Sequence, residues 1–98
     1  MTERKISAVV VTFNSERFIG DCLESLLKQT VLPREIVVVD NGSSDGTCPI
    51  IRSRFATVRL IELHSNTGFC HANNAGLAAT AGEFVLFSNP DTILEQNY

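Results

Sequence analysis

Two short runs of this chain carry almost no exposed-type residues: Ile6 to Thr12, reading ISAVVVT, and Glu35 to Asp40, reading EIVVVD. Both are rich in β-branched residues and nearly continuous rather than alternating, the pattern of parallel strands covered on both faces. Between them Phe18, Ile19, Cys22, Leu23, Leu26 and Leu27 recur at helical spacing, behind Asn14 and Ser15, either of which can act as N-cap. The unit then repeats. Ser43-Ser44-Asp45-Gly46-Thr47 offers N-caps for a helix through Ile50, Ile51 and Phe55, in which Pro49 is tolerated only in the first turn. Val58 to Leu63 reads as a third strand, weakened by Arg59 and Glu62. Phe69 to Thr80 reads as a helix whose Ala72, Ala75, Ala78 and Ala79 let it lie close on a sheet, with Gly82 as its C′ residue. Phe84 to Ser88 is the fourth strand. Such alternation predicts an α/β fold with a doubly wound parallel sheet and right-handed crossovers.

In open α/β sheets ligands collect at the C-terminal ends of the strands. Here those ends read Thr12-Phe13-Asn14, Asp40-Asn41-Gly42, His64-Ser65-Asn66 and Asn89-Pro90-Asp91. All are polar, and although turn chemistry alone explains any one of them, four together point to a site. The loop after the first strand, Phe13-Asn14-Ser15-Glu16, contains no glycine. This excludes a dinucleotide fingerprint, and no G-x-x-x-x-G-K-[ST] phosphate cradle is present. A diphosphate bound here would need a metal to carry much of its charge, and Asn89 and Asp91 offer hard oxygen donors for one.

Composition narrows the picture further. At 98 residues and 44% hydrophobic content the chain can bury a modest core, below the size at which α/β folds become comfortable, and it reads as the front part of a larger enzyme. A formal net charge of -3, with both signs spread along the chain, leaves no electrostatic footprint for nucleic acid. Cys22, Cys48 and Cys70 are odd in number, widely spaced and preceded by no secretory signal, so reduced thiols in a cytosolic protein are expected. They are expected to pack as small apolar groups. No apolar run is long enough to span a bilayer. His64, Cys70 and His71 do not make a zinc site, because adjacent helix residues diverge by about 100° and no fourth ligand has suitable spacing.

Four ordered motifs resemble the nucleotide-binding half of family 2 inverting glycosyltransferases: VVVTFNS at 9 to 15, VVVDNGSSDGT at 37 to 47, N-x-G-x-x-x-A-x-N-x-G from Asn66 to Gly76, and AGEFVLFSNPDT at 81 to 92. The likeness runs from Ile6 to Thr92. It implies a truncated glycosyltransferase A fold, a Rossmann-like three-layer sandwich with a mainly parallel sheet of strand order 3-2-1-4. The implied reaction moves a sugar from a nucleoside diphosphate to an acceptor hydroxyl with inversion. Residues 1–98 would be the N-terminal donor-binding part, with the acceptor-binding half absent.

The resemblance implies donor-nucleotide contacts by Thr12, Phe13, Asn14, Asp40, Asn41, Gly68, Asn74 and Asn89, and a metal, Mg²⁺ or Mn²⁺, on Asp91. Thr12 and Phe13 would lie against the nucleobase. Phe13 stands where a tyrosine is frequent and keeps the ring that stacks. Asp40 would accept the N3 hydrogen of the base, which favours UDP- or dTDP-sugar donors, since cytosine presents an acceptor there; the alternative for Asp40 is a turn cap on Asn41 to Ser43. Asn89-Pro90-Asp91 matches a metal motif that usually has two aspartates, and Asp91 could otherwise cap a helix near Ile93. Asn66, Gly68, Asn74 and Gly76 would shape the loop and helix beside the donor, Gly68 and Gly76 mainly through a tight turn and close packing. No catalytic base is assigned: Glu95 lies too near Asp91, and the base is expected downstream. The acceptor would be a glycan or a lipid-linked sugar, and the protein cytoplasmic or, at full length, membrane-peripheral. The Asn-Pro-Asp-Thr variant resembles the rhamnosyltransferase-like branch. Self-association through the strand edge near Phe84–Ser88 is expected if that edge stays uncovered. A nucleotidyltransferase and a regulatory module of flavodoxin-like topology remain as alternatives.

Overall fold

The computed structural model describes residues 6–28, 35–66, 68–80 and 84–88. Four strands, β1 (Ile6–Thr12), β2 (Glu35–Asp40), β3 (Arg59–Glu62) and β4 (Phe84–Ser88), alternate with three helices, α1 (Ile19–Leu27), α2 (Thr47–Arg54) and α3 (Phe69–Ala78). The strands form one sheet in the order β3-β2-β1-β4, every pair parallel, as expected from the motif order. β1 and β2 are central, which is why they lack hydrophobic alternation: both of their faces are covered. Ala8, Val10, Ile36 and Val38 face α1 and α2, where Ile19, Leu23, Leu26, Ile51 and Phe55 complete one core. Val9, Val11, Val37 and Val39 face the other way, onto α3 and Ala72. The result is three layers, α1 and α2 on one side of the sheet and α3 on the other.

Register places the functional strand ends level with one another. Val9 pairs with Val37 and Thr12 with Asp40. Asp40 is level with Glu62 on β3, and a further bond from the Leu63 N–H to the Asp40 carbonyl (2.9 Å) extends that ladder beyond the strand. β4 sits on the far side of β1, with Ser88 level with Val10. At the opposite end, the Ser7 hydroxyl donates to the Glu35 carboxylate (2.8 Å) and ties the starts of β1 and β2 together.

Helix ends depart from the expected caps. Neither Asn14 nor Ser15 caps α1 through its side chain; the main-chain carbonyl of Ser15 accepts the N–H groups of Phe18 and Ile19 (2.9 Å each), so a tight turn leads into the helix. The Ser15 hydroxyl instead donates to the Phe13 carbonyl (3.1 Å). In α2 the N-cap is Gly46, which has no side chain to offer, and Asp45 one residue earlier accepts the Thr47 N–H (3.0 Å). Pro49 falls in the first turn, where its missing N–H costs nothing. β3 is shorter than the expected Val58 to Leu63. α3 stops at Ala78 rather than Thr80, because the last bonds tighten to Ala79 N–H on Gly76 and Thr80 N–H on Leu77 (3.1 Å each). Gly82 lies outside the described residues.

α3 approaches the sheet closely because Gly76 has no side chain. A Cβ placed there would lie 2.4 Å from Val9 Cγ1 and 3.1 Å from Val39 Cγ2. Alanine at position 76 would gain about 1 kcal/mol of helix propensity, but overpacking a tight core costs roughly 1–3 kcal/mol. The steric term wins. Gly76→Ala is therefore expected to lower stability, and adding Val9→Ala to it should restore part of the loss, a favourable coupling readable in a urea-denaturation double-mutant cycle.

Candidate functional site

The C-terminal ends of β1 and β2 set three different chemical groups side by side. Thr12 is buried, and its hydroxyl is, among the described residues, the one buried side-chain oxygen or nitrogen with no hydrogen-bond partner. Its carbonyl accepts the Asn41 N–H (2.8 Å), which fastens the two strand ends together. Phe13 follows immediately and turns outward, 46% exposed. Asp40, level with Thr12, is buried.

Three donors from the next turn converge on the Asp40 carboxylate. Oδ2 accepts the N–H groups of Gly42 (3.2 Å) and Ser43 (2.9 Å), and Oδ1 accepts the Ser43 hydroxyl (2.5 Å). The turn cap weighed for this residue is thus present in the structure. The turn supplies three of the four bonds that the two carboxylate oxygens can accept, two on Oδ2 and one on Oδ1, and the Cys48 thiol is a further hydrogen-bonding neighbour of the group. Cys48, in the first turn of α2, lies beneath Asp40 and Glu62. Burial, and then the neighbouring Asp40 and Glu62 carboxylates, push its thiol up to about 12. Glu62 itself is held below the ordinary carboxylate range by its hydrogen bond and ion pair with Arg52, which outweigh its partial burial.

The loops that follow β1 and β2 are joined along their length. Asn14 N–H donates to Ser43 Oγ (2.8 Å), and Ser44 N–H returns to Asn14 Oδ1 (2.8 Å). Ser15 N–H donates to Thr47 Oγ1 (2.9 Å), Glu16 N–H to Asp45 Oδ2 (3.2 Å), and Gly46 N–H to Glu16 Oε1 (3.0 Å). Asn14 holds a left-handed φ of 46°, a conformation that asparagine tolerates better than most residues. Desolvation works to raise the Asp45 carboxyl, but bonds from the Thr47 hydroxyl and the Thr47 and Glu16 amides outweigh it and leave the group below its usual range.

A second tie reaches the loop before α3. Asn41 Nδ2 donates to Asn66 Oδ1 (3.1 Å), which also accepts the Gly68 N–H (3.1 Å). Gly42, at φ 93°, lies so close to this loop that a Cβ would be 2.8 Å from the Ser65 carbonyl carbon. Gly68, at φ 91°, has open space around it, so its conformation rather than a close approach calls for glycine.

Of the residues expected at the donor site, the structure brings Thr12, Phe13, Asn14, Asp40 and Asn41 to one edge, with Gly68 in the adjoining loop. Asn74 sits exposed midway along α3. Asn89, Asp91 and Glu95 lie outside the described residues. Asn14 and Asn41 both serve as ties between loops, a role visible only once the strands are in register. Ser43, Glu16, Asp45 and Asn66 share that role, and the signal for it was two runs of capping-type residues after adjacent parallel strands, Asn14-Ser15-Glu16 and Ser43-Ser44-Asp45. The cysteines form no disulfide; Cys22 and Cys48 are buried as expected, whereas Cys70, also expected to pack as an apolar group, is exposed on the first turn of α3. Among the described residues no group of His, Cys, Asp and Glu is placed to hold a metal ion, and no helix is long and apolar enough to cross a membrane.

Comparison with known proteins gives consistent results. The model of the family described as glycosyl transferase family 2 matches residues 7–98. Glycosyltransferase GlyG of Streptococcus pneumoniae is 32% identical over 95 residues, covering 94% of this chain and 32% of its own length. The crystal structure of S. aureus TarS 1-349 in complex with UDP superposes with a TM-score of 0.85 at 35% identity, over 95% of this chain and 29% of that one. The mannosyltransferase PcManGT from Pyrobaculum calidifontis, in complex with GDP-Man and Mn²⁺, superposes with a TM-score of 0.79 at 30% identity, over 89% of this chain and 27% of that one. The chain thus spans about a third of the length of these proteins or less, and its architecture is that of their glycosyltransferase A fold.

Cys48 provides a test of this edge that needs no ligand. A thiol whose folded pKa is raised from 9.0 to about 12 adds stability that is complete below 9.0 and lost as the pH climbs towards about 12. The difference in urea-unfolding free energy between the native chain and Cys48→Ala should therefore shrink across that interval. At neutral pH a maleimide should label Cys70 and spare Cys48 until the protein unfolds.

Proposed function

This chain belongs to glycosyl transferase family 2, and we propose that residues 1–98 are the donor-binding part of a longer inverting transferase that takes a UDP- or dTDP-sugar. Family membership sets aside the nucleotidyltransferase and flavodoxin-like alternatives. The observation that carries the reading is the meeting of three groups at one strand edge: the unpartnered, buried Thr12 hydroxyl, the Asp40 carboxylate and the exposed Phe13 ring. Together they match one face and one edge of a nucleobase. Phe13 stacks on the base, Asp40 accepts the N3 hydrogen of uracil or thymine, and the Thr12 hydroxyl is the donor left for a base carbonyl. Guanine also presents N–H donors that a carboxylate can accept, and one relative, PcManGT, is in complex with GDP-Man. The higher identity to the UDP-bound TarS structure favours a pyrimidine donor.

Asp91 would hold Mg²⁺ or Mn²⁺, and Asn89 would hydrogen-bond the donor ribose or sugar; one carboxylate is a hard donor that suits either ion once a diphosphate adds its own oxygens. Bound there, the ion would neutralise charge on the departing nucleoside diphosphate. The base that deprotonates the acceptor is assigned to chain beyond these residues, as is the acceptor site for a glycan or lipid-linked sugar. The proposed setting is the cytoplasm, or membrane-peripheral at full length, and the Asn-Pro-Asp-Thr variant, which resembles the rhamnosyltransferase-like branch, supports a rhamnosyl-type donor.

Two measurements decide the reading. Calorimetry with UDP, dTDP, CDP and GDP in the presence of Mg²⁺ should rank UDP and dTDP first, and Asp40→Asn should weaken UDP binding by on the order of 1–3 kcal/mol, the cost of a charge-assisted hydrogen bond in a partly dry site. CDP binding as tightly as UDP would remove Asp40 from base recognition. Metal and UDP should also strengthen each other's binding by the same factor. Asp91→Ala should abolish that coupling and leave uridine binding nearly unchanged.

A further inference from the structure

Asp40 can discriminate between bases only if its carboxylate is held in one orientation, and the group that holds Oδ1 is the Ser43 hydroxyl. A hydroxyl has a single proton to donate. The Asn14 N–H already donates to Ser43 Oγ at 2.8 Å, so that side of the oxygen is an acceptor and the proton goes to Asp40 Oδ1 at 2.5 Å. Oδ2 meanwhile accepts the Gly42 and Ser43 amides. Bonds to both oxygens fix the rotation of the carboxylate; of these groups only the Ser43 hydroxyl engages Oδ1, and the Cys48 thiol is a further neighbour hydrogen-bonded to the carboxylate. Ser43 is itself held from the opposite loop, because Asn14 also accepts the Ser44 N–H through its side chain.

We propose that Ser43 is the positioning residue that sets nucleobase specificity, by using up one acceptor direction of Asp40 and orienting the carboxylate towards the base. This rests on the base-reading role given to Asp40 above. Without the Ser43 hydroxyl, a water would take its place on Oδ1. A water can turn to donate a proton to a ring acceptor such as cytosine N3, so the preference for a base with an N–H at that position would fall. Ser43 touches the carboxylate and not the base.

The test is calorimetry on the full chain with UDP and CDP, Mg²⁺ present, for the native protein and the variants Ser43→Ala, Ser43→Thr, Ser43→Cys, Glu16→Ala and Asp40→Asn. Ser43→Ala should reduce the UDP-to-CDP affinity ratio about tenfold, the effect of one lost hydrogen bond to a charged group. Ser43→Thr keeps the hydroxyl and should keep the ratio. Ser43→Cys keeps the volume with a weaker donor and should give an intermediate ratio, which covers the case of an alanine variant that does not fold. Glu16→Ala cuts the loop tie to Gly46 without touching Asp40 and should lower stability alone. An unchanged ratio in Ser43→Ala and Ser43→Cys, or an equal fall in Glu16→Ala, overturns the proposal; if Asp40→Asn still loses the ratio, the base-reading role survives that result. A native protein with no preference for UDP overturns both.

Discussion

Parallel strands that end level with each other leave two loops side by side, each with main-chain N–H groups that must find partners. That constraint governs this molecule. Thr12 and Asp40 end in register, and the loops behind them satisfy their amides largely from each other's side chains: Ser43, Thr47 and Asp45 serve the first loop, Asn14 and Glu16 the second. The polar residues at this edge therefore have two tasks, closing the loops and presenting a surface. Asp40 shows how both are met at once, since its turn cap fixes the carboxylate without filling it.

The rest of the fold keeps that edge level. The valines of β1 and β2 bury one set of side chains against α1 and α2 and the other against α3. A slip of one residue would exchange the two sets and carry Thr12 away from Asp40. Gly76 brings α3 close on its side, while the Ser7–Glu35 bond fixes the far ends of the same strands. Cys48 adds an uncharged floor beneath two carboxylates, a choice that avoids burying further charge there.

Sequence periodicity was sufficient for the strands and their covering, because a β-branched run flanked by helical spacing has few other readings. The strand order needed the motifs as well, since nothing in local pattern says whether β3 or β4 lies beside β1. Helix starts were less legible. Asn14 and Ser15 have capping side chains, but the neighbouring loop competes for Asn14, and Ser15 contributes its carbonyl instead. At the site, residue type marked Thr12, Phe13 and Asp40, whose chemistry faces the edge. It did not mark Ser43, and it marked Asn66 only as part of the loop beside the donor; the bonds both make come from what lies across a loop and depend on register that the linear sequence does not display.

The bonds between the two loops join residues 29 to 32 apart in the chain. None can form until β1, α1 and β2 have come together, so the cost of closing that segment has been met before the first of them appears. This edge thus depends on the assembled strand–helix–strand unit and is not a local motif. It has no preformed version in the unfolded chain that could bind a nucleotide, and any ligand it holds stabilises the whole strand–helix–strand unit rather than a single loop.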